Sequence, residues 1–130
     1  MHFVGWTPSG HEIHWDSGPQ GAITKGSAPM ETFLHATAVC GAMDVVNILR
    51  KRRKEITTFE VAVEGDRALD HPRVFRHINI SYRVKGPGIT QDEVQKALNL
   101  SCRKYCSITN MLKPDVKVSY RIEVPVGNPD

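Results

Sequence analysis

Cys40 and Cys106 are the side chains of this chain best suited to covalent chemistry. Cys40 stands inside an apolar run, Ala36-Thr37-Ala38-Val39-Cys40-Gly41-Ala42-Met43, and Cys106 closes an amphipathic one, in Lys104-Tyr105-Cys106-Ser107. A thiol in an apolar setting, with a second thiol able to reach it, is the minimum equipment for two-cysteine redox chemistry: one sulfur is oxidised and the other resolves it as a disulfide. The competing use of the same residues is structural, because free cysteines are among the most buried residue types and serve as small hydrophobes. Spacing alone leaves both uses open.

Other chemistries find less support. Cys102 and Cys106 have a helical i,i+4 spacing that could share a metal, but the six histidines are scattered and His35, His71 and His77 form no ligand pattern. His35 lies five residues before Cys40, about 500° around a helix, and reads as a packed or capped core histidine rather than a general base. Asp44 lies one turn after Cys40 on the same face. A carboxylate there raises a thiol pKa, so Asp44 should pair with a cation from elsewhere, or cap or bond backbone. No serine-histidine-acid set and no glycine-rich phosphate loop can be assigned. The basic run Arg50 to Lys54 has no interleaved aromatics and reads as a solvated helix end rather than a nucleic-acid surface.

The elements that must position these thiols follow from the pattern. Residues 1 to 28 are short apolar pieces broken by glycine and proline, with a strand expected over His11 to Asp16, as part of a hairpin or an arm. Ser27 is the expected cap of a long helix with Pro29 and Glu31 in its first turn, running to about Arg53. Its middle is apolar on nearly every face, which predicts burial on all sides. Strands are expected over Phe59 to Gly65 and Val74 to Val84, the second with Val74, Arg76, Ile78, Ile80, Tyr82 and Val84 on one face. Thr90-Gln91-Asp92-Glu93 is a capping box. The helix after it would place Val94, Ala97, Leu98, Ser101, Cys102 and Tyr105 on one side. A last strand spans Val116 to Val124. This order predicts one α+β domain over residues 1–130, with an antiparallel sheet.

The chain has 130 residues, 40% hydrophobic and 24% charged, with a net charge of +3. That is one domain's worth of ordinary globular composition, with no charge signal for nucleic acid or membrane. The odd number of cysteines precludes complete intrachain pairing. The first residues lack a basic start and an apolar core of the secretory kind, and Glu31, His35 and Asp44 interrupt the longest apolar stretch. The expectation is a cytoplasmic protein with free thiols and no membrane span. One monomer has too little sheet to surround a helix that is apolar all round, so a dimer sharing two such helices is expected.

These features together resemble the OsmC/Ohr family, the osmotically inducible and organic-hydroperoxide-resistance proteins. Ser27-Ala28-Pro29-Met30-Glu31 leading to Ala38-Val39-Cys40, then Ala42-Met43-Asp44-Val45-Val46, resembles the family's first cysteine helix. Leu100-Ser101 and Lys104-Tyr105-Cys106-Ser107 resemble its second cysteine site, at a separation close to the family's own, and His71-Pro72-Arg73-Val74-Phe75 fits its connection between middle strands. The resemblance covers about residues 10 to 125. It implies an OsmC-like intertwined homodimer, with antiparallel sheets wrapped around two long buried helices. It implies that Cys40 attacks a peroxide and that Cys106 resolves the product, while Cys102 matches no family position. The family's activating pair is missing: Met30 stands ten residues before Cys40 where a glutamate is usual, Glu31 points the opposite way, and no arginine precedes Arg50.

The expected activity is therefore a thiol-dependent peroxidase in oxidative-stress defence. It would reduce organic hydroperoxides through a Cys40 sulfenic acid and a Cys40–Cys106 disulfide, which an external dithiol then reduces, with no bound cofactor. Phe33, Val39 and Met43 would suit a greasy peroxide better than a small polar one. The rival expectation is a non-enzymatic dimer that binds a small apolar molecule in the same cleft.

Overall fold

The computed structural model describes residues 1–125. By compactness the chain divides into a unit of Met1–His35 and a second that begins at Ala36. In the first unit, β1 (His2–Trp6) and β2 (Glu12–Asp16) form an antiparallel hairpin. Trp15 also bridges to Ser27. The expected strand over His11 to Asp16 is thus β2, and β1 completes the hairpin.

Helix α1 spans Pro29–Lys51. Its start is built from Ala28, whose N–H donates to the Glu31 carboxylate at 2.8 Å. Ser27 is not the cap: its hydroxyl meets that of Thr32 at 2.7 Å. The Glu31 side chain does the capping from inside the helix, half of a capping box. His35 is exposed, not in the core, and its Nδ1–H donates to the Glu31 carbonyl one turn back at 2.9 Å.

The second unit holds a three-stranded sheet in the order β3-β4-β5, formed by Thr58–Arg67, Phe75–Lys85 and Lys117–Glu123. The β3–β4 pair is antiparallel, but β4 and β5 are parallel, so the sheet is mixed rather than wholly antiparallel. The reason is the connection. Helix α2 (Gln91–Leu100) carries the chain back between them, and parallel neighbours require such a crossover. Ile78, Ile80, Tyr82 and Val84 face the core as the alternation predicts. Arg76 does not. Asp66 pairs with His77 and Arg67 with Phe75, so Arg76 is a bulged extra residue, and Phe75 takes the buried side before it.

Helix α2 begins at one half of the expected capping box: the Glu93 N–H donates to Thr90 Oγ1 at 3.2 Å, while the Glu93 carboxylate pairs with Lys54 instead of returning to Thr90. It buries Val94, Ala97 and Leu98 and then widens into a π turn, Ser101–Tyr105, before the short helix α3, Ser107–Met111. A regular α-helix would have brought Tyr105 onto the buried stripe. The π turn, closed by the Cys106 N–H on the Ser101 carbonyl at 2.8 Å, takes an extra residue, so Cys106 is buried and Tyr105 is half exposed.

Candidate functional site: a cluster of three thiols

Helix α1 approaches this part of the molecule with small residues. Thr37, Ala38, Gly41, Ala42, Val45 and Leu49 form its buried stripe. Gly41 is required there by proximity, because a Cβ at that position would come within 2.8 Å of the Tyr82 hydroxyl. That hydroxyl, sent in from β4, donates to the Ala38 carbonyl at 2.9 Å. Tyr82 is thereby fixed beside the turn that carries Cys40. Burial raises its pKa, and the charges that Cys102, Cys106, Cys40 and Asp44 would carry raise it further. One phenol thus senses all three thiols.

Cys40 is half-buried and Cys106 is buried to 1% exposure. Cys106 lies near enough to Cys40 to raise the pKa of its thiol. Two backbone N–H groups, of Ile108 and Ser107 in the first turn of α3, also point at the Cys40 sulfur and lower its pKa. They do not prevail. Burial is the larger influence, and with the nearby Cys106 it leaves the Cys40 thiol above its ordinary value.

Cys102 lies on the π turn, half-buried. Burial raises its pKa, the Tyr120 hydroxyl donated from β5 opposes that, and the charges of Cys106 and Asp44 add to it. Tyr120 in turn is pushed up, by burial first and then by this hydrogen bond. Asp44 neither meets a cation nor caps backbone. It accepts the Ser101 hydroxyl at 2.8 Å, a bond between α1 and the π turn. Its charge acts on Cys102 and Tyr82.

Cys106 thus lies near enough to Cys40 and to Cys102 to affect the protonation of both. Sequence reasoning missed Tyr82, Tyr120, Ser101 and the Ser107–Ile108 amides. The available signals were a glycine directly after the cysteine and tyrosines at inward strand positions, since a buried tyrosine hydroxyl needs a partner. Among the described residues no group of three or more His, Cys, Asp or Glu side chains is placed to hold a metal.

Two grooves flank α1 in this unit. One of about 370 Å³ is lined by Val39, Ala42, Met43, Val46, Phe59 and Val61, among others. The other, of about 300 Å³, runs from Asp44 past Ile48 and Tyr105 to Lys51 and Arg52. The single chain does not cover α1 on all sides, as its shortage of sheet predicts. Val39 and Met43 remain 42% and 64% exposed, because the sheet and α2 cover only the small-residue stripe. By length and composition α1 is also apolar enough to cross a membrane, so its charged residues do not exclude a span as the sequence suggested. The same test is passed by core helices of soluble proteins, and the bonds α1 makes to Tyr82 and Ser101 are those of a packed helix.

Comparison with known proteins agrees with this geometry. The family model of OsmC-like proteins matches residues 21–121. Protein YhfA of Escherichia coli K12 is 39% identical over 124 residues, 95% of this chain and 90% of its own length. The crystal structure of a hypothetical protein from Aquifex aeolicus superposes with a TM-score of 0.70 at 28% identity, covering 96% of both chains. An organic hydroperoxide resistance protein from Elizabethkingia anophelis shares the fold, with a TM-score of 0.67 at 13% identity over 95% of this chain and 94% of that one.

Proposed function

This chain belongs to the OsmC/Ohr family, and from that premise we propose that it is a cysteine-based peroxidase for organic hydroperoxides. The family's link to peroxide resistance, printed in the names of fold neighbours, supplies the class. The observation that carries the reading is a half-buried Cys40 on α1 with buried Cys106 near enough to alter its protonation.

The Cys40 thiolate attacks the distal peroxide oxygen. The O–O bond breaks, the alkoxide leaves and takes a proton to become an alcohol, and Cys40 becomes a sulfenic acid. Cys106 then attacks the Cys40 sulfur. The S–S bond forms, and the sulfenic oxygen leaves as water. An external dithiol reduces the disulfide. The N–H groups of Ser107 and Ile108 steady the Cys40 thiolate in the role the family gives to its arginine, while burial keeps the thiolate scarce at neutral pH. Turnover is accordingly slow there and climbs with pH.

The open apolar stripe at Val39, Met43 and Val61 supports a homodimer that shares this face. An obligate interface of that kind buries upward of about 2,000 Å² in total. The cytoplasm, where thiols stay reduced, is the compartment that suits such a cycle.

The test is mass spectrometry of the intact protein after one equivalent of cumene hydroperoxide. A Cys40–Cys106 link, absent in Cys40→Ser, is expected. Oxidation confined to Cys102 would defeat the mechanism. The second reading, a dimeric protein that binds a small apolar ligand without chemistry, draws on the raised Cys40 thiol and the 370 Å³ apolar groove. Cys40 oxidation no faster than that of an ordinary free thiol would favour it.

A further inference from the structure

We propose that Cys102 is a third redox thiol, which takes over the disulfide from Cys40 by exchange at Cys106. This inference rests on the peroxidase reading for the source of the disulfide, and on the arrangement around Cys106 for everything after it.

Cys106 has two candidate partners. One is Cys40, whose thiol it raises in pKa. The other is Cys102, four residues back along the π turn. The two ends of that turn are tied together: the Asn110 side-chain amide donates to the Cys102 carbonyl at 3.1 Å and to the Cys106 carbonyl at 2.7 Å. Residues four apart on a helix hold their Cβ atoms about 5–6 Å apart, whereas a disulfide needs about 3.5–4.5 Å. From that regular value the pair would have to close by about 1–2 Å, and this segment departs from regular geometry at the end that must move. The turn is a widened one, and Cys106 has already left helical geometry, with φ −72° and ψ 106°. π turns of this kind are frequent at functional sites.

The exchange balances without an added oxidant. The Cys102 thiolate attacks Cys106 Sγ of the Cys40–Cys106 bond. The Cys102–Cys106 bond forms, the Cys40–Cys106 bond breaks, and the electron pair leaves on the Cys40 sulfur. Cys102 gives its proton to solvent, to which it is half exposed, and Cys40 takes one up. No net oxidation occurs. Both ends of the step are provided for. The Tyr120 hydroxyl donates to Cys102, which favours the attacking thiolate. The Ser107 and Ile108 N–H groups receive the departing Cys40 thiolate. The consequence is that Cys40 is free for another peroxide while the oxidising equivalents wait on the half-exposed Cys102 sulfur for the external dithiol.

The sequence makes the test simple. Trypsin cuts after Arg50, Arg103 and Lys104, so Cys40, Cys102 and Cys106 fall on three different peptides. The reduced full-length protein is treated with one equivalent of cumene hydroperoxide, and in parallel with the general dithiol oxidant diamide. It is then quenched at intervals with N-ethylmaleimide and digested. A Cys40–Cys106 link that decays as a Cys102–Cys106 link rises, with Cys40 becoming alkylatable again, is the expected result. In Cys102→Ser the first link should accumulate and Cys40 stay blocked. Tyr120→Phe should slow the transfer, because the attacking Cys102 loses a group that lowers its pKa. A Cys40–Cys106 link that persists in the wild type while Cys102 stays alkylatable overturns the proposal. So does a Cys102–Cys106 link that forms as fast in Cys40→Ser as in wild type, because Cys40 is then not its source. If diamide but not the hydroperoxide yields the first link, the peroxidase reading fails, and the diamide series still decides the exchange.

Discussion

The two faces of α1 differ in the size of their side chains and in what covers them. The face toward the sheet and α2 carries Ala38, Gly41, Ala42, Val45 and Leu49, all buried. Small residues let Tyr82 come up to the helix backbone and let Ser101 reach Asp44. The other face carries Val39, Met43 and Val46, apolar and larger, and the chain leaves Val39 and Met43 open. One face is covered by the chain itself, and the other is left open. Cys40 lies between them, half-buried, at the border where an apolar ligand or a second copy would close over it.

The largest expected effect comes from breaking the finished face. Leu49 is fully buried, and Leu49→Ala should cost about 2–5 kcal/mol, measured by urea unfolding. A loss under about 1 kcal/mol would mean that this face is far less tightly packed than its burial implies.

Next is Gly41→Ala. The added methyl meets the Tyr82 hydroxyl, and overpacking of this kind costs about 1–3 kcal/mol. Tyr82→Phe removes the obstructing oxygen, so the double variant should recover part of that loss. Strict additivity of the two changes would show that the close approach is not the cause.

The border position makes a prediction in pH. Burial and the nearby Cys106 raise the Cys40 thiol above its ordinary value of 9.0, so its neutral form is favoured and its thiolate appears late. In Cys102→Ser, the rate of Cys40 alkylation by iodoacetamide should rise about tenfold per pH unit and go on rising beyond the point where a free thiol levels off. A plateau reached below pH 8 would reveal a cation brought to Cys40 from outside the chain.

Smallest, for contacts within the chain, is Met43→Glu. The side chain is 64% exposed, so its own contacts are worth within about 0.5 kcal/mol. Its effect should appear in association instead, as a lighter species than wild type in sedimentation velocity at micromolar concentration. Unchanged sedimentation would mean that the open face is simply solvated.

Local rules were legible in the sequence because they act over a few residues. The Thr90 cap, the inward row from Ile78 to Val84 and the length of α1 each follow from spacing and side-chain type. The pairing of Cys40 with Cys106 was legible only through family resemblance, since nothing local joins two helices so far apart in the chain. What the tertiary structure decided was parity and proximity. A bulge at Arg76 exchanged Arg76 for Phe75 in the core, and a π turn exchanged Tyr105 for Cys106. Each inserts one residue into a regular repeat and so reverses which side chains face inward, and neither leaves a mark in the hydrophobic pattern. Likewise the groups that oppose burial at the thiols, the Ser107 and Ile108 amides and the Tyr120 hydroxyl, come from residues distant in sequence from the sulfurs they serve or from backbone that carries no residue signature. Sequence determined which elements form and that Cys40 would sit in an apolar setting. Only packing in three dimensions could decide which donors meet which sulfur, because a hydrogen bond depends on ångström-scale placement of chain segments that the sequence alone does not specify.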